Sequence, residues 1–270
     1  MHKVGRRGTL THDTTEYALR KTAVPTINNA FYSDLGDRWF EGDDHAIALL
    51  RAESVIKIDY VHAVFEKVGI EPGTRVLDVA CGAGLVALPL AEAGFLVRGI
   101  DLAEGAIETA RAHTSAGTDA SFAVADAYDT GEPDAHYDAV LLLDMLEHVE
   151  RPADVLTEAA RVLRPGGVVV FHTFNRTLAA QLLAIYGMKI VARDTPEHVH
   201  VYDLFITPAE LSRMAGKIGL AVKEIQGVRP MVNRAFWWSV FHRRIHPDFA
   251  FTKTRSPAVG YLGYAVKGDV

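Results

Sequence analysis

The stretch RVLDVACGAGLV, residues 75–86, narrows most sharply what this chain can fold into. An apolar run from Val76 to Ala80 passes into Ala80-Cys81-Gly82-Ala83-Gly84, a bend nearly without side chains, before apolar residues resume. A strand turning through glycines into a helix gathers backbone N–H groups and a helix N-terminus at one point, where a ligand can lie against the main chain. A tight turn that uses glycine for conformation alone is the plainer reading of the same residues. Asp78 adds one carboxylate beside the bend.

The unit then repeats. Strand-like runs fall at 75–80, 96–101, 120–126, 137–144 and 168–174. Helical patterns fall at 44–68, 85–93, 103–115 and 152–163, the last opened by Pro152 and closed by Pro165-Gly166-Gly167. Such alternation predicts an α/β fold, Rossmann-like and doubly wound, with helices on both faces of a mostly parallel sheet. Residues 176–206 interrupt the pattern and read as an inserted lid. Thr207-Pro208-Ala209-Glu210 has the spacing of a capping box, and strands at 220–228 and 260–267 complete a seven-stranded sheet with an antiparallel edge strand. Residues 1–45 are expected to form an N-terminal helical cover, and 46–270 a single domain carrying the lid.

Hydrophobic residues make up 49% and charged residues 23% of the chain, as in ordinary globular proteins. A net charge of −6 speaks against nucleic acid as a partner. The single cysteine, Cys81, has no internal disulfide partner, which suits a reducing cytoplasm. No run reaches the ~18 apolar residues of a transmembrane helix. The expected protein is cytoplasmic, with peripheral contact to a membrane surface and homo-oligomerisation left open.

Asp101 ends LVRGID and Asp126 falls in FAVADAYD, so acids stand at the tips of the second and third strands as well as the first. A carboxylate at the second tip accepts hydrogen bonds from a ribose diol, although a solvated strand end gives the same residue. Gly82-Ala83-Gly84-Leu85-Val86-Ala87 fits the dinucleotide pattern G-x-G-x-x-A. Asp78 decides against that cofactor, because it would repel a pyrophosphate and attract a cation. S-adenosyl-L-methionine, a nucleoside with sulfonium and ammonium groups, satisfies all three acids. Leu102 and Ala127 join Asp78, Gly82, Gly84, Asp101 and Asp126 in the expected cofactor set.

VLDVACGAG, GID, ADAYD, YDAVLLLDMLEHV and RVLRPGGVVV resemble the successive motifs of class I S-adenosylmethionine-dependent methyltransferases over roughly residues 70–175. LDMLEHV, FHTFNRT, and the run from Pro196 to Leu211 are similar to the ubiquinone-pathway O-methyltransferases, as are FYSDLGDRWFEGDD and LLRAESVIKIDYV upstream. That resemblance implies cofactor contacts at Lys57, Ala80, Asp101 and Leu143. The family usually has arginine where Lys57 stands and glycine at Ala80. Its C-terminal part is also shorter and less basic and aromatic than residues 233–256 here.

Methyl transfer needs an aligned acceptor oxygen that has lost its proton, by a base or a metal. Asp144, Glu147 and His148 in LDMLEHV have the chemistry to hold a divalent ion, Mg or Zn, whose coordination a catechol would complete. The resemblance implies the same use. Two other readings stay open: His148 as a metal-free base, and Glu147 with His148 as a helix cap. His200 is a candidate acceptor-site residue, His198 shares its spacing, and Asn175 follows the fifth strand. Residues 178–194 read as a packed helix or an interfacial one. Phe236-Trp237-Trp238 line a pocket or fill core, and Trp39 belongs to the cover.

The expected function is O-methylation of a small phenolic or catechol acceptor, ubiquinone-pathway-like and in one form prenylated. The alternatives are a methyltransferase of another small natural product or metabolite, a binding module that keeps only the cleft and, more distantly, an NAD-dependent dehydrogenase.

Overall fold

The computed structural model describes residues 29–192, 195, 197 and 199–268. His198 and residues 1–28 of the expected cover lie outside the described residues. Two short 3-10 turns, Asn29–Tyr32 and Gly36–Trp39, lead into α1 (Ala46–Val68). Then come β1 (Arg75–Val79), α2 (Ala87–Glu92), β2 (Leu96–Asp101), α3 (Glu104–Ala112) and β3 (Ala120–Val124). β4 (Tyr137–Leu143), α4 (Pro152–Val162) and β5 (Leu163–Phe174) follow. The interruption after β5 is helical: α5 (Leu178–Ala180) continues through a π-helical turn, Gln181–Gly187, into α6 (Met188–Val191). α7 (Pro208–Lys217), β6 (Leu220–Pro230), α8 (Arg234–His242), β7 (Phe251–Thr254) and β8 (Gly260–Lys267) complete the described chain.

The strands form one sheet in the order β3-β2-β1-β4-β5-β8-β6-β7. β1 to β5 are parallel. β8 lies antiparallel between β5 and β6, and β7 closes the edge antiparallel to β6. All seven expected strands are present. The eighth, β7, comes from the stretch 233–256, where FTKT is too short to announce itself by alternation. β3 stops at Val124, so Asp126 sits on the following turn, where its Oδ1 accepts from the Tyr128 N–H at 2.9 Å.

Alternate residues of the central strands face opposite layers, and both layers are apolar. Val76, Val97, Leu141 and Val170 pack with Val61, Phe65, Leu90 and Ile107 from α1, α2 and α3. Leu77, Ile100, Val140 and Phe171 pack with Val155, Leu156, Leu211 and Ala215 from α4 and α7. This is why these strands read as continuous apolar runs. The capping box at the start of α7 forms as expected: Thr207 Oγ1 accepts from the Glu210 N–H, and Glu210 accepts from the Thr207 N–H. Strand order reverses between β1 and β4, which opens a crevice beyond their carboxyl ends, where ligands of such sheets bind.

Candidate active site

Two cavities occupy that crevice, of about 460 Å³ and about 580 Å³. They share Tyr32, Ala80, Asp101 and His148 as common wall. Lys57, Asp78, Gly82, Leu143, Asp144 and His200 line the first. Leu102, Asp126 and Ala127 line the second. The acids of the three strand ends therefore surround one pair of adjoining spaces, with Asp101 facing both.

Asp101 is held by the bend itself: Oδ2 accepts from the Gly82 N–H and Oδ1 from the Ala103 N–H, each at 2.8 Å. Asp78 is buried, and burial, followed by the nearby charges of Asp101 and Asp144, pushes its pKa up to about 8. Gly82 has a different office from the one its sequence suggests. A Cβ there would come within 2.6 Å of the indole of Trp39, which lies buried across the bend. Its bareness makes room for the cover as well as for a ligand. Gly84 lines neither cavity; its open side meets Leu88 and Phe122, and it serves the packing of the bend.

Ala80 adopts φ +59°, a left-handed conformation that costs a residue with a Cβ about 1–2 kcal/mol. This is the position at which the resembling family usually carries glycine.

Asp144 also adopts a left-handed conformation, φ +57°, and it does not turn toward Glu147 and His148. It pairs with the Lys57 ammonium and with Nδ1 of His172, while Lys57 also donates to Glu53 at 2.9 Å. Lys57 and His172 are fully buried. Burial opposes the charge on Asp144, but Lys57 and His172 hold its carboxyl below the usual range. Burial opposes the charged form of His172, while Glu53 and Asp144 raise its pKa.

Sequence reasoning missed Glu53 and His172. The signals were present: Glu53 precedes Lys57 by one helical turn, and His172 interrupts an apolar strand.

Asp144, Glu147 and His148 do not converge as one cluster of ligand atoms among the described residues. Among the described residues, Glu147, His148 and His200 each bring a ligand atom within 4.8 Å of the others, as do Glu53, Asp144 and His172 around Lys57. Glu147 is buried behind the cavity wall, where Oε2 accepts from the Thr173 hydroxyl at 2.7 Å. Its Oε1 and the Nδ1 of His148 are buried without a hydrogen-bond partner. Burial, with Asp144 adding, raises Glu147 to about 7; burial and then His200 lower His148 to about 3. His200 Nδ1 lies 3.2 Å from the Ala184 carbonyl of the lid. Asn175 does not reach the cavities: its side chain donates to the Pro257 carbonyl at 2.6 Å and ties down a strand end.

A nucleotide-sized double cavity lined by acids, at the switch point of a Rossmann-like sheet, is the architecture of an S-adenosylmethionine-dependent methyltransferase. A methyltransferase domain family matches residues 77–171. Magnesium protoporphyrin IX methyltransferase from Synechocystis, solved with S-adenosylmethionine bound, superposes with a TM-score of 0.58 at 19% identity, covering 88% of this chain and 93% of that one.

Sequence relatives are nearer. The ubiquinone biosynthesis O-methyltransferase of Burkholderia pseudomallei is 35% identical over 208 residues, 75% of this chain and 87% of the relative. That of Xanthomonas axonopodis pv. citri is 34% identical over 240 residues, 87% and 92% respectively. The chain belongs to the ubiquinone biosynthesis O-methyltransferase family and is an S-adenosylmethionine-dependent O-methyltransferase of that type. With the family shown, the dehydrogenase alternative falls away.

Replacing Ala80 by glycine removes the left-handed strain but adds freedom to the unfolded chain, worth about 0.4–1 kcal/mol in the other direction. Ala80→Gly is expected to stabilise the protein by about 0.5–1 kcal/mol in urea unfolding. A loss of stability contradicts the strain argument.

Proposed function

We propose that this enzyme methylates a hydroxyl of a phenolic or catechol acceptor that carries an apolar body or prenyl tail. The observation that supports this reading most is the shape of the first cavity. Its floor is polar, at Asp144, His148 and His200, and its walls are apolar, formed by Leu49, Met188, Phe236, Val240 and Phe249. The aromatic cluster at 233–256, longer than in the resembling family, supplies part of that wall.

In this reading Asp101 accepts from the ribose hydroxyls, and Leu102, Asp126 and Ala127 receive the adenine. Ala80, Gly82 and Leu143 pack against the cofactor, while Lys57 and Asp78 face its charged amino-acid end. Bound S-adenosylmethionine supplies an electrophilic methyl group on a sulfonium. Asp144 acts through its partners, keeping Lys57 and His172 in place. His148 and His200, both neutral because burial disfavours their charged forms, meet the acceptor hydroxyl with unprotonated ring nitrogens.

With labelled methyl donor, prenylated catechols are expected to turn over faster than catechol alone, and monohydroxy aliphatic compounds not at all. Equal turnover of small polar alcohols overturns the acceptor assignment.

The mouth of the cavity supports a peripheral membrane contact. Leu178, Leu182, Tyr186 and Ile190 stand exposed at four-residue spacing along the lid, and Trp237 and Phe241 stand exposed on the neighbouring α8. Leu182, Ile190 and Trp237 also line the cavity, so an acceptor would pass directly from an apolar surface into it. Lys189 and Arg234 stand exposed nearby, as basic residues do at interfacial helices. Among the described residues no helix is long and apolar enough to cross a membrane. Anionic vesicles are expected to bind the protein and to blue-shift its tryptophan fluorescence. The double variant Leu178→Ser, Phe241→Ser is expected to bind roughly tenfold more weakly. Unchanged flotation of that variant removes the proposal.

Asp78 gives cofactor binding a pH dependence. Its carboxyl, at about 8, must lose a proton before it faces a cation, so affinity should rise with pH up to about 8 and then level. The sign for stability is opposite. The folded pKa lies above the unfolded value of 3.8, so this group costs the free protein stability as pH rises from there toward 8. Asp78→Asn is therefore expected to melt higher than the parent at pH 8 while losing the pH-dependent part of S-adenosylhomocysteine and S-adenosylmethionine binding. Titration calorimetry from pH 6 to pH 9 checks this, and an unchanged binding profile refutes the role.

A further inference from the structure

We propose that the N-terminal cover tells loaded from spent cofactor: the Tyr32 ring contacts the sulfonium of S-adenosylmethionine and favours it over the neutral thioether of S-adenosylhomocysteine. The inference rests on the S-adenosylmethionine reading of the double cavity and is independent of the acceptor. Tyr32 belongs to the wall that the two cavities share, with Ala80, Asp101 and His148. With adenine on the Asp126 side and the amino-acid end beside Lys57 and Asp78, the ribose and the sulfur fall at that wall. Asp101 takes the ribose hydroxyls, so the sulfonium meets Tyr32.

The surroundings suit a cation. Burial, then the negative charges of Asp144, Glu147 and Asp101, raise the pKa of the Tyr32 hydroxyl, so the ring is a neutral phenol among carboxylates. The face of such a ring carries partial negative charge and attracts a cation within about 6 Å of its centroid. Trp39 stacks near Tyr32 at an interplanar angle of 29° and lines the first cavity as well. Its Nε1–H is buried with no hydrogen-bond partner among the described residues. The cover therefore carries a buried donor that an oxygen of a bound ligand would satisfy.

The segment that presents these rings is held at both ends. The Arg51 guanidinium on α1 donates to the carbonyls of Arg38, Trp39 and Glu41 at 3.0, 3.5 and 2.9 Å, and to that of Gly42. The Ser33 carbonyl, next in the chain to Tyr32, lies so close to α3 that a Cβ on Gly105 would collide with it. When the methyl group leaves, the sulfur loses its charge and the ring loses its partner. Tyr32 thus retains the loaded cofactor and lets the spent one go. Asp101, which meets the same ribose in both, cannot make that distinction.

Titration calorimetry with S-adenosylmethionine and S-adenosylhomocysteine measures the distinction with no acceptor present, as the ratio of the two dissociation constants. Tyr32→Leu is expected to weaken S-adenosylmethionine binding about fivefold relative to S-adenosylhomocysteine, and Tyr32→Phe, which keeps the ring, to hold the ratio within about twofold of the parent. Fluorinated phenylalanines incorporated at position 32 keep the shape while draining charge from the ring face. Affinity for S-adenosylmethionine should fall with each added fluorine while that for S-adenosylhomocysteine stays constant, and this series decides if Tyr32→Leu fails to fold by circular dichroism. A folded Tyr32→Leu with an unchanged ratio, a Tyr32→Phe that loses the ratio, or a ratio that does not move along the fluorine series overturns the proposal. A parent protein that binds neither compound overturns the cofactor reading itself, which none of the variant results would do.

Discussion

A buried ammonium sets the terms for this cleft. Lys57 is 1% exposed, and an uncompensated charge at that depth would cost several kcal/mol. Its compensation comes from two carboxylates, Glu53 one turn earlier on α1 and Asp144 at the end of β4, and Asp144 is shared with His172 on β5. The network joins α1 to the two strands on one side of the switch point and holds Asp144 in a left-handed conformation. Removing one partner would strand the others, so the corner of the cleft behaves as a unit.

Around that anchor the site divides by polarity. Acids from β1, β2 and the turn after β3 surround the space for a cationic nucleoside, whereas the lid, α8 and β7 supply apolar walls. The N-terminal turns close the gap from above: Trp39 lies on Gly82, and Tyr32 stacks near Trp39 with ring centroids 6.0 Å apart. The scaffold belongs to the sheet, and the chemistry of recognition belongs to segments laid over it. This division is common where one fold serves many acceptors.

Much of this was legible one residue at a time. Strands buried on both faces appear as mostly apolar runs, so β1, β4 and β5 were visible. Thr207-Pro208-Ala209-Glu210 announced α7 through local hydrogen bonds, and the acids of three strand tips announced a cation. Gly82 was legible as a bare position, but its covering by Trp39 depends on a segment more than forty residues upstream. β7 was not legible, because four residues carry too little alternation and its pairing with β6 is set by the fold around it.

Local physics, then, is written along the chain: periodicity, turn chemistry, and the charge a strand end presents to a ligand. Partner choice is not. LDMLEHV places Asp144, Glu147 and His148 within five residues, yet Asp144 turns to Lys57, 87 positions away, and His200 arrives beside the other two from the segment inserted after β5. Each such choice is settled by which buried charge most needs neutralising, a question that exists only once packing has excluded water.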